Sequence, residues 1–374
     1  MTSNLFPEHP LMIGNEIYRF SRFGAHHPLS IERITPVIDL CYSLGWVDDP
    51  VYLESRMATQ EMLCRYHDHE YVEAVFQAEQ NGLVDQIISE RFNLGINGNP
   101  IFPEIFTRPA ITAGASIQAG ELLAGVDNGV IYSVAGGTHH AKKAMASGFC
   151  FFNDLVLGIL ALLDGGIEKV LYVDLDAHHG DGVQDAFSND ERVLTVSIHE
   201  KGRWPGTGDV LDRANGAARN LPVPSGFNDT EMDLIVRRAI IPLGETFGPQ
   251  AIVIQCGCDN LADDPQSKLQ LSNIALWGAV DNLIKLAPRA LIVGGGGYNP
   301  WSAARAWTGI WGIINNKDVD INLPLEAMGI LKALTWNHSW GRSPPFHWYS
   351  SLADFPNEGI IREEIKDIIS EVLK

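Results

Sequence analysis

The chain has 374 residues, of which 45% are hydrophobic and 20% charged, enough for a substantial core and too apolar for a disordered protein. Its formal charge of −19 and pI near 4.9 argue against a nucleic-acid binder, because phosphate would be repelled over most of the surface. No apolar run reaches the length of a membrane span, and the first ten residues lack the basic and apolar regions of a secretory signal. No membrane association is therefore expected, and a cytoplasmic location is. The five cysteines (Cys41, Cys64, Cys150, Cys256, Cys258) are odd in number and lie mainly in apolar contexts, which suits reduced thiols.

No repeat, low-complexity tract or Pro/Gly/Ser linker divides the sequence, so residues 1–374 read as one domain. The first ~100 residues have weak periodicity and several loops, and are expected to wrap around a sheet formed further on. Five later runs read as buried parallel strands: 130–134, 169–175, 192–198, 250–256 and 289–293. Helical patterns fall between and after them at 155–163, 229–247, 273–286 and 301–314, and 360–373 is amphipathic. Alternation of this kind predicts an α/β fold, a parallel sheet with helices on both faces.

The residues just beyond each strand carry the chemistry. After Val134 comes Ala-Gly-Gly-Thr-His139-His140; after Leu175 comes Asp176-Ala-His178-His179-Gly-Asp181. Ile198 leads to His199 and Trp204, Cys256 to Gly-Cys-Asp259, and Val293 to four glycines and Tyr298. Parallel sheets bind ligands at the carboxyl ends of their strands, where these loops converge. Asp174, Asp176 and His178 are two apart, so an extended backbone would project all three to one side, where a cation would relieve their repulsion. Asp176, His178 and Asp259 make a three-ligand set with room for water and substrate, as a catalytic zinc requires. His139 and His140 suit a general acid and base pair, with Asp174 and Asp181 available to orient the two imidazoles. Tyr298, on a flexible glycine approach, can donate a hydrogen bond to a developing oxyanion. No Gly-Lys-Ser/Thr succeeds the glycines, which excludes a P-loop.

The segments Gly-Gly-Thr-His139-His140-Ala-Lys-Lys, Ser147-Gly-Phe149-Cys-Phe-Phe-Asn-Asp, Asp174-Leu-Asp176-Ala-His178-His179-Gly-Asp-Gly-Val, Pro205-Gly-Thr-Gly-Asp, Gln255-Cys-Gly-Cys-Asp259 and Gly294-Gly-Gly-Gly-Tyr298-Asn follow one another in a fixed order, after His26-His27-Pro with Arg33. Together they resemble the zinc-dependent histone deacetylase superfamily, which includes acetoin-utilisation proteins and acetylpolyamine amidohydrolases. The resemblance implies an arginase–deacetylase fold with its site at the C-terminal strand ends, and hydrolysis of an N-acyl amine such as acetyl-lysine. Carried over, Asp176, His178 and Asp259 would bind one Zn2+, with His139 and His140 as the acid–base pair and Tyr298 polarising the carbonyl. Phe149, Trp204, Gln266 and Gly296 would line the substrate channel. A monovalent cation, usually K+, would sit near Asp174, Asp176, His178, Ser197 and Ile198, and Arg33 beside an internal cavity suited to acetate.

Departures from the family pattern bear on the substrate. Trp204 replaces a more usual Phe, Gln266 is neutral where a polyamine-selective relative carries Glu, and a rim Asp is replaced by Gly98 or Asn99. The alternatives are an acetylpolyamine or other small N-acyl amine deacetylase and a dimanganese ureohydrolase of the same fold. A second metal would need a carboxylate at residue 180 or 261, and these are Gly180 and Leu261. A catalytically dead binding module would require loss of a ligand, a His or the Tyr, and none is lost. His26 and His27 are read as lining the rim or as structural, the two readings standing equal; His67 and His69 are read as structural, and His199 as a support of the cation site that does not react. The sequence specifies no oligomeric state.

Overall fold

The computed structural model describes residues 9–24, 27–48 and 51–374, so most of the N-terminal decapeptide and His26 lie outside the described residues. Eight parallel strands form one sheet: β1 (Leu11–Gly14), β2 (Tyr52–Glu54), β3 (Gly129–Ser133), β4 (Val170–Asp174), β5 (Val193–Glu200), β6 (Ala218–Val223), β7 (Ala251–Gln255) and β8 (Arg289–Val293). Their spatial order is β2-β1-β3-β8-β7-β4-β5-β6.

The five expected strands are present, and three more extend the sheet. β1 and β2 arise from the first hundred residues, which therefore contribute an edge to the sheet as well as wrapping it. They are only four and three residues long, too short for a period-2 pattern to stand out. β6 contains Pro222, which has no N–H for a ladder; it is tolerated because β6 is the opposite edge strand.

Alternate strand residues serve different cores. Val170 and Tyr172 pack with Leu155, Ile159 and Ala119, from the helices Asp154–Asp164 and Thr107–Ala124. Leu171 and Val173 face the other way, towards a cluster with Trp277, Trp307 and Trp311 from Asn273–Leu283 and Pro300–Ile314. Helices thus cover both faces, and the strands are continuously apolar because neither side meets water. The 229–247 pattern forms Asp229–Ile235 and Ile241–Phe247 joined by a π-turn at Val236–Ile240. Pro242, which has no N–H to give, comes directly after that wider turn.

The register places the site. Ser133, Val293, Gln255, Asp174 and Ser197 are paired in one row across β3, β8, β7, β4 and β5. Each chain leaves the sheet at or just beyond that row, so the loops 134–140, 175–181, 256–264 and 294–298 start side by side.

Candidate active site

Asp176, His178 and Asp259 come together just beyond the row, with donor atoms all within 4.8 Å of one another. His178 Nδ1 lies 3.1 Å from Asp176 Oδ1 and 2.9 Å from Asp259 Oδ2. Asp176 and Asp259 are fully buried. Burial works against a charged imidazole, but Asp259 and then Asp176 outweigh it and lift the His178 pKa to about 10. Two carboxylates closing on one imidazole call for a cation between them. Burial, and then the Asp176 charge, push the Asp259 carboxyl up. Two carboxylate oxygens and an imidazole nitrogen are the donor set that zinc accepts, so the residues fit a divalent ion. Among the described residues this is the one such group of three.

Asp174 does not join them. Period-2 alternation ends with β4 at Asp174, and its carboxylate turns behind the site, where Oδ2 lies 2.8 Å from His139 Nδ1 and accepts the Tyr172 hydroxyl at 2.6 Å. His140 Nδ1 is correspondingly 2.7 Å from Asp181 Oδ1. Both Nδ1 atoms are thereby engaged and both Nε2 atoms left to face the cavity. The two rings lie 3.8 Å apart, centroid to centroid, but their electrostatics differ. Burial opposes charge on His139, yet Asp174 and Asp176 raise it to about 9. On His140 burial comes first and the neighbouring His139 charge adds to it, giving about 3. Asp181 pulls the other way but does not outweigh them; Lys142 Nζ also lies 2.5 Å from Asp181 Oδ2.

Tyr298 is buried at the cavity wall, and its hydroxyl has no hydrogen-bond partner among the described residues. Burial and then the Asp259 and Asp176 charges hold the phenol protonated, as a donor must be. The glycines before it are not slack. A Cβ on Gly295 would lie 2.3 Å from Gln255 Nε2, and one on Gly296 would lie 2.1 Å from Asp259 Oδ2. Gly296 N–H donates to Asp176 Oδ2 at 2.7 Å, so this loop is a tight cradle for the carboxylates, not a flexible approach.

A cavity of about 290 Å³ takes in Asp176, His178, His139, His140, Tyr298, Phe149, Trp204, Gln266 and Gly296, the expected channel residues included. Trp204, half-exposed, stands edge-on to His140 at 4.7 Å. Phe149 is edge-on to Tyr298 at 6.2 Å and to His27 at 4.5 Å. The rim loop around Gly98 and Asn99 is packed against Phe149. Asn99 is buried and its Oδ1 accepts the Phe149 N–H at 2.9 Å, while a Cβ on Gly98 would meet Phe149 at 2.6 Å. Asn97 is the residue of that loop that lines the cavity. Asp174 and Ser197 are register partners, and Ser197 Oγ lies 2.9 Å from His199 Nδ1.

Several further residues support the site. Asp264 accepts the Tyr298 N–H at 2.6 Å; burial and then Asp259 push its carboxyl up to about 8. Asp154 accepts from Gly137 N, Thr138 N and Ser116 Oγ, fixing the loop that carries the histidines. His67 Nε2 accepts the Asn153 N–H at 2.9 Å, and its Nδ1 lies 3.2 Å from the Lys143 carbonyl. Asn153 in turn donates to the Ala141 carbonyl at 3.0 Å, so the structural role expected for His67 reaches the loop carrying His139 and His140.

Burial lowers the His67 pKa to about 4. From an unfolded value near 6.5, the unfolded chain binds a proton first as pH falls, so this residue's stabilisation is present above 6.5 and declines towards 4. His67→Leu should therefore destabilise the fold by about 1–3 kcal/mol at pH 7, leaving the buried Asn153 N–H unpaired, while the Lys143 carbonyl keeps the Asp68 N–H. That difference should narrow by about 2 kcal/mol at pH 5, where protonation of the unfolded chain has already cost wild type that much. Denaturant unfolding of both proteins at the two pH values checks this; a difference independent of pH would show that His67 takes up its proton in the fold as readily as in the unfolded chain.

Comparison with known proteins agrees with this geometry. The family model for the histone deacetylase domain matches residues 27–314. Histone deacetylase RPD3 of Saccharomyces cerevisiae is 34% identical over 318 residues, 83% of this chain and 72% of that protein. Histone deacetylase 8 of Xenopus tropicalis is 34% identical over 298 residues, 78% of this chain and 80% of that protein. The crystal structure of an HDAC homolog from Aquifex aeolicus superposes with a TM-score of 0.91 at 32% identity, over 98% of this chain and 100% of that one. An HDAC homolog complexed with SAHA gives the same figures. The chain belongs to the histone deacetylase family.

Proposed function

We propose that this protein is a zinc-dependent amidohydrolase that removes an acyl group, acetyl in the first instance, from an N-acylated amine such as acetyl-lysine. The observation that carries the reading is the convergence, on one cavity, of the Asp176/His178/Asp259 cluster, two carboxylate-backed imidazoles and a protonated, unpaired tyrosine hydroxyl. Membership of the family and the likeness to an HDAC homolog complexed with SAHA support it.

In this reading Asp176, His178 and Asp259 would hold the ion, which when bound supplies Lewis acidity toward water and an amide carbonyl. His140, neutral in its buried setting, accepts the proton as the water oxygen adds to the acyl carbon. Tyr298 donates its hydroxyl hydrogen to the carbonyl oxygen as charge gathers there. The carbon–nitrogen bond then breaks, the departing amine takes a proton from the histidine pair, and a carboxylate remains. Asp174 and Asp181 keep the two rings oriented and their Nδ1 protons engaged. K+ beside Asp174, Asp176, His178, Ser197 and Ile198, a single catalytic domain and a cytoplasmic location belong to the same proposal. No helix among the described residues is long and apolar enough to cross a membrane.

Phe149 and Trp204 would flank the acylated side chain. With Gln266 neutral and no carboxylate at the rim loop, small N-acyl amines or unstructured acyl-lysines should be better substrates than folded histones. The dimanganese reading is not favoured: Gly180 and Leu261 offer no second set of ligands.

The test is an acetyl-lysine reporter assay on purified protein before and after exhaustive chelation and metal-free dialysis. Activity should vanish, return with Zn2+, and be blocked by a hydroxamate, which chelates an open ion in two places. Full activity after dialysis would overturn the mechanism.

A further inference from the structure

The cavity holds more than the hydrolytic constellation. Its lining also includes Arg33, Arg108, Tyr18, Phe23, Pro109 and Thr112. Arg33 Nη1 donates to the Gly295 carbonyl at 2.6 Å and reaches that of Gly297 at 3.4 Å. It is thus tied to the same glycine loop whose Gly296 N–H holds Asp176 and which ends in Tyr298. Arg108, in the first turn of Thr107–Ala124, donates through Nη1 to the Ser21 carbonyl at 2.6 Å. Its guanidinium lies 5.0 Å over the Tyr18 ring and 5.2 Å over Phe23.

Neither guanidinium has a carboxylate within ion-pair distance or any other hydrogen bond among the described residues. Several other arginines of this acidic chain meet carboxylates, Arg19 with Asp39, Arg203 with Glu200, Arg305 with Asp354 and Arg362 with Glu231; Arg219 and Arg289 also donate to carbonyls alone, but neither lines this cavity. Two guanidinium groups on one cavity with no carboxylate beside them repel each other, and an anion between them would remove that repulsion. Burial first, with Arg33 adding to it, brings the Arg108 pKa down to about 10. The Tyr18 and Thr112 hydroxyls, 2.8 Å apart, add polar groups to the same wall. One arginine would suffice for the carboxylate that amide hydrolysis creates. A second, on a different element, gives the cavity capacity for two negative charges.

We propose that the cavity accepts acyl groups ending in a carboxylate, of the succinyl or glutaryl type, with the distal carboxylate held by Arg33 and Arg108. The inference rests on the amidohydrolase reading, which places the acyl carbonyl at Tyr298 and leads the acyl chain inward, away from the Trp204 rim. Guanidinium groups grip carboxylates in two places, which suits the fixed planar forks of both residues. The bond chemistry is that of deacetylation: water adds to the acyl carbon, the carbon–nitrogen bond breaks, the amine leaves with a proton, and a dicarboxylate remains for the two arginines.

The experiment compares zinc-loaded wild type and Arg108→Gln on succinyl-lysine and succinamyl-lysine reporters, matched in size and differing in charge, with acetyl-lysine as reference. Wild type should show kcat/KM roughly tenfold or more higher for succinyl than for succinamyl, the value of a charge-assisted pair, and the variant should lose that ratio. A ratio of one or below in wild type while acetyl-lysine is turned over would overturn the proposal and leave the deacetylase reading standing. Thermal-shift titration with succinate and with neutral succinamide decides the matter even if no reporter is hydrolysed. Stabilisation by succinate alone, absent in Arg108→Gln, supports the anion site; no stabilisation, or the same in both proteins, refutes it. Equal losses on every substrate would mean that Arg108 only packs against Tyr18 and Phe23.

Discussion

Replacing Asp259 by alanine should abolish retention of a divalent ion, and turnover with it, in a chain that still folds. Asp259 supplies one of the three converging donors through Oδ2, 2.9 Å from His178 Nδ1, while Oδ1 accepts the Ala177 N–H at 2.9 Å. Without it one carboxylate and one imidazole remain, too few to hold a zinc-class ion against dialysis. The structural loss is two hydrogen bonds in the loop after β7, to the Ala177 N–H and to His178 Nδ1, about 1–3 kcal/mol. Metal analysis after dialysis should give one ion per chain for wild type and none for the variant. Zn2+ should raise the wild-type melting temperature, since an ion at a hundred times its Kd adds about 2.7 kcal/mol, and should leave Asp259→Ala unmoved. His140→Ala is the complementary case: it should keep the ion and the thermal response and lose turnover. A dialysed Asp259→Ala that retained a full complement of ion would remove residue 259 from the ligand set.

The sequence is most legible where chemistry is local. Asp176 and His178 share one strand end, His139 and His140 are adjacent, and each central strand is a continuous apolar run capped by polar residues, so both the sheet and its functional edge can be read directly. The features that escape such a reading depend on contacts between distant segments. β1 and β2 become strands because β3 offers them a ladder, not because three or four residues declare a period. Asp264 looks like one of two acids in a loop until Tyr298, 34 residues on, is seen to donate its N–H there. Asn99 reads as a rim residue from its neighbours in sequence, yet it is buried and holds the Phe149 backbone, 50 residues away. Arg108 has the pattern of a surface residue in a first helical turn, and only the fold turns it onto the cavity. The tetraglycine marks a special backbone, but packing rather than flexibility requires it, because a sequence shows missing side chains and not the carboxylates that fill their places.

Tyr298→Phe should lower kcat by about 10²–10³ with metal content unchanged, the usual effect of removing one donor to a developing oxyanion. The phenol is suited to that role by its surroundings. Its backbone is pinned through the Tyr298 N–H to Asp264, its ring stands against Phe149, and its hydroxyl has no partner among the described residues. A donor tied to no other protein group has no internal contact to break before it meets the carbonyl oxygen. Burial and the flanking carboxylates keep it protonated across the working pH range, so the loss in Tyr298→Phe should be the same at pH 6.5 and pH 8.5. Phenylalanine keeps the ring contact and removes one oxygen, so the melting temperature should change little, and KM should move less than kcat because the missing bond strengthens only as charge develops. A variant within a few-fold of wild type would show that the hydroxyl does not reach the carbonyl. A loss that appeared in KM alone would make Tyr298 a residue that binds the substrate without stabilising the transition state.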